Sequence, residues 1–282
     1  MSKEAHRDGI VDSHVHVVSP DLQRYPLSPR SLSGTWYLDA PCSAREFVPQ
    51  MQACGVDGAI LVQGVGAYSH DNRYAADCAK ADPGHFVSAC CIDVLAEDAV
   101  ERLEHWAIEC GMQGIRLFTI GSDVDWLDDP KTFGLWERAA ELALHVIVTI
   151  LPDKLPQLRR VLEHFPDTAV SLDHCAFPDP HKPEPLLALA ELPNLYLKVS
   201  THVLDAGIEK QGSAGPIVDT LIDHFGAARI MWGSDFCQTQ DRSYAELVAL
   251  GRSAFEQRSA EEQGLCMGGT ARALWPELET PR

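Results

Sequence analysis

No run in this 282-residue sequence is both long and apolar enough to cross a bilayer, so no membrane span is expected. There is no C-x-x-C pair. The nine cysteines are odd in number and scattered, with Cys90 and Cys91 adjacent, a pattern that suits reduced thiols used as small core hydrophobes. Neither a glycine-rich phosphate loop nor a basic cluster occurs, which argues against phosphate-directed chemistry. Positive charge is scarce: 23 Lys+Arg against 41 Asp+Glu leave a formal −18, arguing against nucleic acid and anionic membranes as partners. Under that field an anionic substrate would need a local basic patch, so an arginine inside the fold is informative. Met1 to Gly9 is polar, no leader is expected from it, and the thiols point to the cytoplasm.

What is present is an ordinary globular composition, 45% hydrophobic and 23% charged, long enough to bury a core without disulfides. Eight short Val/Ile/Leu-rich runs recur: Ile10–Val18, Gly58–Gln63, His85–Val94, Gly114–Ile120, His145–Leu151, Ala169–Asp173, Leu195–Ser200 and Arg229–Trp232. Helix-like segments separate most of them, the first starting after Ser43 as a plausible N-cap. Apolar runs without clean alternation suit strands covered on both faces, and alternating strand–helix units imply a parallel sheet. No G-x-G-x-x-G follows an early strand, so an open doubly wound sheet is disfavoured. The expectation is an α/β protein, a (β/α)8 TIM barrel, with no linker or low-complexity stretch to divide residues 1–282 into more than one domain.

In such barrels the reactive groups gather at the C-terminal ends of the strands. Here those ends read His14 and His16 on the first strand, Gln63 on the second and Arg116 on the fourth. Asp173-His174 end the sixth, Lys198 to His202 the seventh, and Asp235 follows the eighth. Side chains two apart on a strand share a face roughly 6–7 Å from one another, so His14 and His16 can reach a common ion or substrate. With His174 and Asp235 they form a ligand set suited to Zn²⁺ or a similar divalent ion with an open position. The fourth strand offers no lysine for carboxylation, which limits the site to one metal. Gln63, His202 and Tyr37 are candidates to touch substrate. Tyr37 belongs with Tyr25 and Trp36 to a long proline-rich segment, Ser19 to Pro41, that either walls the mouth or packs on the surface.

These residues resemble the amidohydrolase superfamily, in the branch that includes sugar-lactone and 2-pyrone-4,6-dicarboxylate lactonases. The resemblance rests on Val11-Asp-Ser-His-Val-His16, Gln63 followed by Asp71-Asn-Arg73, Gly114-Ile-Arg116, Leu172-Asp-His174 with Pro178, Lys198-Val-Ser200, Trp232-Gly-Ser-Asp235 and Gly269-Thr-Ala-Arg-Ala-Leu-Trp275. It implies His14, His16 and His174 as metal or substrate ligands, Asp235 as general base and Arg116 as a contact for a substrate carboxylate or carbonyl. Ser122, Leu204 and Thr149 stand where dicarboxylate-lactonase relatives carry two arginines and an aromatic, so a less acidic lactone or a different ring is implied. The expected activity is hydrolysis of a small lactone, with metal-dependent decarboxylation of an aromatic or unsaturated acid as the alternative. One divalent ion, zinc first, is the expected cofactor, with catalysis by the histidines and Arg116 alone kept open. The expected partner is a small molecule, and a homo-oligomer is compatible with the sequence.

Overall fold

The computed structural model describes residues 9–29 and 34–278. Arg30 and the polar stretch before Gly9 lie outside the described residues. Eight strands form one parallel sheet in chain order: β1 (Ile10–Val15), β2 (Val56–Val62), β3 (Phe86–Cys91), β4 (Gly114–Phe118), β5 (His145–Thr149), β6 (Val170–Leu172), β7 (Leu195–Ser200) and β8 (Ile230–Gly233). The order β1 to β8 and the intervening helices are those of the (β/α)8 barrel expected from the sequence. Valine, isoleucine and leucine dominate because each strand is buried on both faces.

The first and last strands are joined differently from the rest. A single parallel bridge links Val15 to Phe236, and Asp235 N–H donates to His14 C=O at 2.9 Å. The carboxylate of Asp12 completes the seam. It accepts Ser234 N–H at 2.9 Å and Tyr244 O–H at 3.1 Å, tying β1 to the segment after β8. Burial pushes the Asp12 carboxyl up to about 6, with the hydrogen bonds from Ser234, His14 and Tyr244 pulling the other way.

Val11, Ile60, Val62, Val87, Ala89, Ile147 and Met231 fill the barrel interior together with Trp275. Trp275 plugs the N-terminal end: a Cβ added to Gly114, the first residue of β4, would lie 2.3 Å from its ring, so only glycine fits there. His145 opens β5 beside the same ring, at 5.1 Å between centroids, and hydrogen-bonds Ser171 at 2.6 Å, well away from the catalytic end. Among the described residues no disulfide joins any of the cysteines, and no helix is long and apolar enough to cross a membrane.

The Ala44–Ala53 helix starts as expected. Ser43 Oγ accepts the Glu46 N–H while Glu46 Oε2 accepts the Ser43 N–H, a reciprocal capping box. Ser43→Ala should cost about 1 kcal/mol of stability, read as a lower urea midpoint with unchanged activity. Two expectations are corrected. β1 ends at Val15 rather than Val18, placing His16 just beyond the strand. The Lys198 to His202 strand end is cut short too: a helix at Thr201–Gln211 follows β7 directly and carries His202.

Candidate active site

The strand register with β2 shifts between Asp12 and Val15, which brings the His14 and His16 rings edge-on at 4.9 Å with Nε2 atoms 3.3 Å apart. Each ring is fixed from behind. His14 Nδ1 lies 3.1 Å from Asp173 Oδ1 and His16 Nδ1 lies 2.8 Å from the Val62 carbonyl. Carboxylate and carbonyl oxygens only accept, so in each neutral ring the proton is on Nδ1 and Nε2 presents a lone pair. Burial holds the His14 pKa well below the ordinary value.

Asp173 and His174 are adjacent, and in a regular strand they would face opposite sides. They do not, because β6 stops at Leu172 and the chain turns left-handed. His174, Cys175, Ala176 and Phe177 have φ of 53°, 51°, 56° and 53°, and none is glycine. Such backbone costs on the order of 1 kcal/mol or more per residue and is typical of functional sites. The turn lets Asp173 reach His14 while His174 lies 4.8 Å from the His14 ring, with its Nδ1 2.7 Å from Ser200 Oγ. Burial lowers the His174 pKa to about 4.

Asp173, which the sequence places at a strand end without a role, is the centre of a buried polar network. Its Oδ2 accepts Arg116 Nε–H at 2.9 Å and the Thr149 hydroxyl at 2.7 Å, and Lys198 Nζ lies 3.2 Å from Oδ1. Burial opposes its charge, but Lys198, His14 and Arg116 hold the carboxyl well below the usual carboxylate range. Arg116, expected to grip substrate, gives Nε to Asp173 and Thr149 and one terminal nitrogen to the Gln63 carbonyl at 3.3 Å.

Asp235 meets the imidazoles from the far end of the chain. It too has positive φ, 60°, and the preceding Gly233 passes so close to β1 that a Cβ there would sit 2.9 Å from His14 Cβ. The Asp235 side chain does not cap the helix that follows; Ser243 caps the Tyr244–Phe255 helix. Its Oδ1 lies 3.4 Å from His14 Nε2 and 3.3 Å from His16 Nε2, and its Oδ2 lies 2.9 Å from His202 Nε2. Burial disfavours the Asp235 charge, yet His202 pulls the other way, and the carboxyl lies well below the usual range. Burial acts downward on His202 as well, and the Asp235 carboxylate outweighs it, so the His202 pKa is raised.

The donor set can therefore be tested for fit to a cation. Oδ1 of Asp235 is buried with no hydrogen-bond partner, and it faces imidazole nitrogens that carry lone pairs. A buried carboxylate oxygen opposed by lone pairs is unfavourable unless a proton or cation lies among them. Ligand atoms of His14, His174 and Asp235 all fall within 4.8 Å of one another, and His16 borders the same space. Three imidazoles and a carboxylate are the chemistry of a zinc-type site. The residues fit the ion.

The remaining expectations are placed differently. Gln63 turns its side-chain amide onto the carbonyls of Ser69 and Asp71, at 3.1 and 3.0 Å, and so braces the loop after β2. Trp36, rather than Tyr37, packs against the site: its ring is 5.6 Å from His16, and Tyr37 lies edge-on behind Trp36 at 5.7 Å. Tyr25 is away from the mouth, bonding Asp77 through its hydroxyl and packing on Tyr74. Asn72 sits at an N-cap position without capping. Its amide instead clamps both backbone groups of Cys91.

The amidohydrolase family model matches residues 11–276, and the chain belongs to that family. It is 28% identical over 238 residues to an L-fucono-1,5-lactonase of Burkholderia ambifaria, covering 80% of this chain and 79% of the relative. A Pseudomonas putida protein provisionally described as a 2-pyrone-4,6-dicarboxylic acid hydrolase superposes with a TM-score of 0.78 at 25% identity, covering 96% of this chain and 98% of that one. A Burkholderia multivorans amidohydrolase with bound zinc superposes at 0.73 and 22% identity, covering 95% and 99%.

Proposed function

We propose that this amidohydrolase opens a small lactone or related cyclic ester by attack of water at the C-terminal mouth of the barrel. The observation that carries the reading is the unpartnered, buried Oδ1 of Asp235, 3.3 to 3.4 Å from the imidazoles of His16 and His14. The lactonase from Burkholderia ambifaria and the pyrone hydrolase assignment in Pseudomonas putida support the choice of ester.

Ester hydrolysis needs a deprotonated water, a stabilised oxyanion and a proton for the departing ring oxygen. Asp235 Oδ1 takes the proton of the attacking water while His202 steadies Oδ2. The same carboxyl then returns the proton to the ring oxygen as the acyl–oxygen bond breaks. The product is an open-chain hydroxy acid, which ionises at neutral pH and releases one proton to solvent. His14, His16, His174 and Asp235 would hold a divalent ion, which when bound supplies Lewis acidity toward the substrate carbonyl and lowers the pKa of water there to about 7. Ser200 and Asp173 fix the rings from behind, as partners of ligand imidazoles do. Trp36 shields one side of the space from water.

The test is proton release from a panel of lactones by the purified protein, with elemental analysis of the same sample. Turnover of at least one lactone, and no CO₂ from benzoate-type acids, is expected. CO₂ release without ring opening would replace this reading by decarboxylation. About one zinc or similar ion per chain is also expected, and His14→Ala should abolish its retention after dialysis. Full activity in a sample that holds no divalent metal would remove the ion from the scheme and leave Asp235 in place.

A further inference from the structure

The buried network behind the imidazoles brings more positive charge to Asp173 than one carboxylate can match. Arg116 Nε–H and the Thr149 hydroxyl occupy Oδ2, at 2.9 and 2.7 Å. Oδ1 is left with two claimants, His14 Nδ1–H at 3.1 Å and Lys198 Nζ at 3.2 Å. Two cations and one ligand imidazole thus share a single side chain. Lys198 is fully buried on β7, and Asp173 is its one ion-pair partner among the described residues. Its Nζ approaches Oδ1 outside the directions of a hydrogen bond, and no other acceptor among the described residues meets it. The other buried carboxylate within its field, Asp12, is taken by the N–H groups of His14 and Ser234 and by the Tyr244 hydroxyl.

A lysine kept only to brace the fold would be poorly suited to this position. An ammonium with unanswered N–H groups opposes its own burial, and an apolar chain of similar length would pack there without that cost. The charge also goes unscreened. Burial lowers the His145 pKa to about 3, and Lys198 pushes it the same way from two strands along the barrel. On the far side of Asp173 lies His14, whose Nε2 faces Asp235 Oδ1 in the ion site. A carboxylate behind a ligand imidazole normally makes it a stronger donor by drawing on its Nδ1 proton. Here the oxygen that draws is shared with an ammonium, which weakens the pull and sets a fixed positive charge behind the ligand.

We propose that Lys198 is a positioning residue that holds down the affinity of the centre for a divalent ion. It acts through Asp173 Oδ1 on His14 and touches neither the ion nor the substrate. The proposal rests on the ion site described above and not on the lactone. Zinc binding is read without turnover, so a protein that opens no lactone loses the proposed reaction and leaves this assignment to its own result. The full-length chain is stripped with a chelator, and its zinc affinity is measured by competition with a chromophoric chelator. Lys198→Met and Lys198→Gln should each bind zinc about tenfold tighter than wild type, the scale of one buried unit charge removed from the neighbourhood of a dication. A residue that merely braced Asp173 would do the opposite, its loss weakening zinc by about ten- to a hundredfold. Agreement between an apolar and a polar neutral variant assigns the gain to charge rather than to packing. Circular dichroism and the urea midpoint show which variants fold, and where only one folds, that one decides. Zinc affinity unchanged or weaker in a folded neutral variant overturns the proposal, and so does the absence of zinc binding in wild type and variants alike. Failure of both neutral variants to fold gives Lys198 to the fold and overturns it as well.

Discussion

Asp235→Asn is expected to lower kcat for lactone hydrolysis by about two orders of magnitude or more, the usual scale for loss of a general base. Asparagine keeps the size of the side chain and can still accept from His202, so the seam between β1 and β8 should survive. What it removes is the basicity of the one oxygen that faces the imidazoles without a donor of its own. Because the same carboxylate is a candidate metal ligand, metal content must be measured beside kcat. A variant that keeps its ion and its fold yet loses turnover locates the effect in proton transfer. A variant within tenfold of the wild type would remove Asp235 from the chemistry altogether.

The largest effect on stability is expected from Asp173→Asn, at about 3–5 kcal/mol, because the change leaves Arg116 and Lys198 buried beside one another without a counter-charge. Pairing Asp173→Asn with Lys198→Met should restore part of that loss by removing one of the stranded cations. The folded-state pKa of Asp173 lies below the ordinary 3.8, so its contribution is fully present above that value and fades as pH falls through the folded pKa. Urea denaturation should therefore show the full gap between variant and wild type at pH 7, narrowing toward strongly acid pH. A gap that widens on acidification would contradict the network described here.

Much of this was legible in the residues before any coordinates. The strand-like runs located all eight strands because double burial leaves a dense valine, isoleucine and leucine signal. His14, His16, His174 and Asp235 could be placed at one end because strand ends in a barrel share a rim. Asp173 could be placed at the rim but not given a role, because alternation along a strand assigns neighbours to opposite faces, and four consecutive left-handed residues without glycine leave no compositional mark. The Thr201–Gln211 helix carries no signal of its own because it begins immediately after β7 ends at Ser200, without a loop to announce it. Trp36 and Tyr37 are neighbours on one short turn, and composition alone does not say which of two adjacent aromatics faces inward. Gln63 looks like a site residue in sequence because it sits at a strand end, yet its amide is consumed by the carbonyls of Ser69 and Asp71.

The seam between the first and last strands has a consequence for how activity arises. The imidazole pair is made early in the chain and its carboxylate partner late, and they meet at the seam where Asp12 accepts Ser234 N–H and Asp235 N–H donates to the His14 carbonyl. A chain halted between His174 and Ser234 thus carries three of the four candidate ligands and none of the base. Turnover becomes a reporter of ring completion, and its return after dilution from denaturant times the moment at which the cylinder shuts.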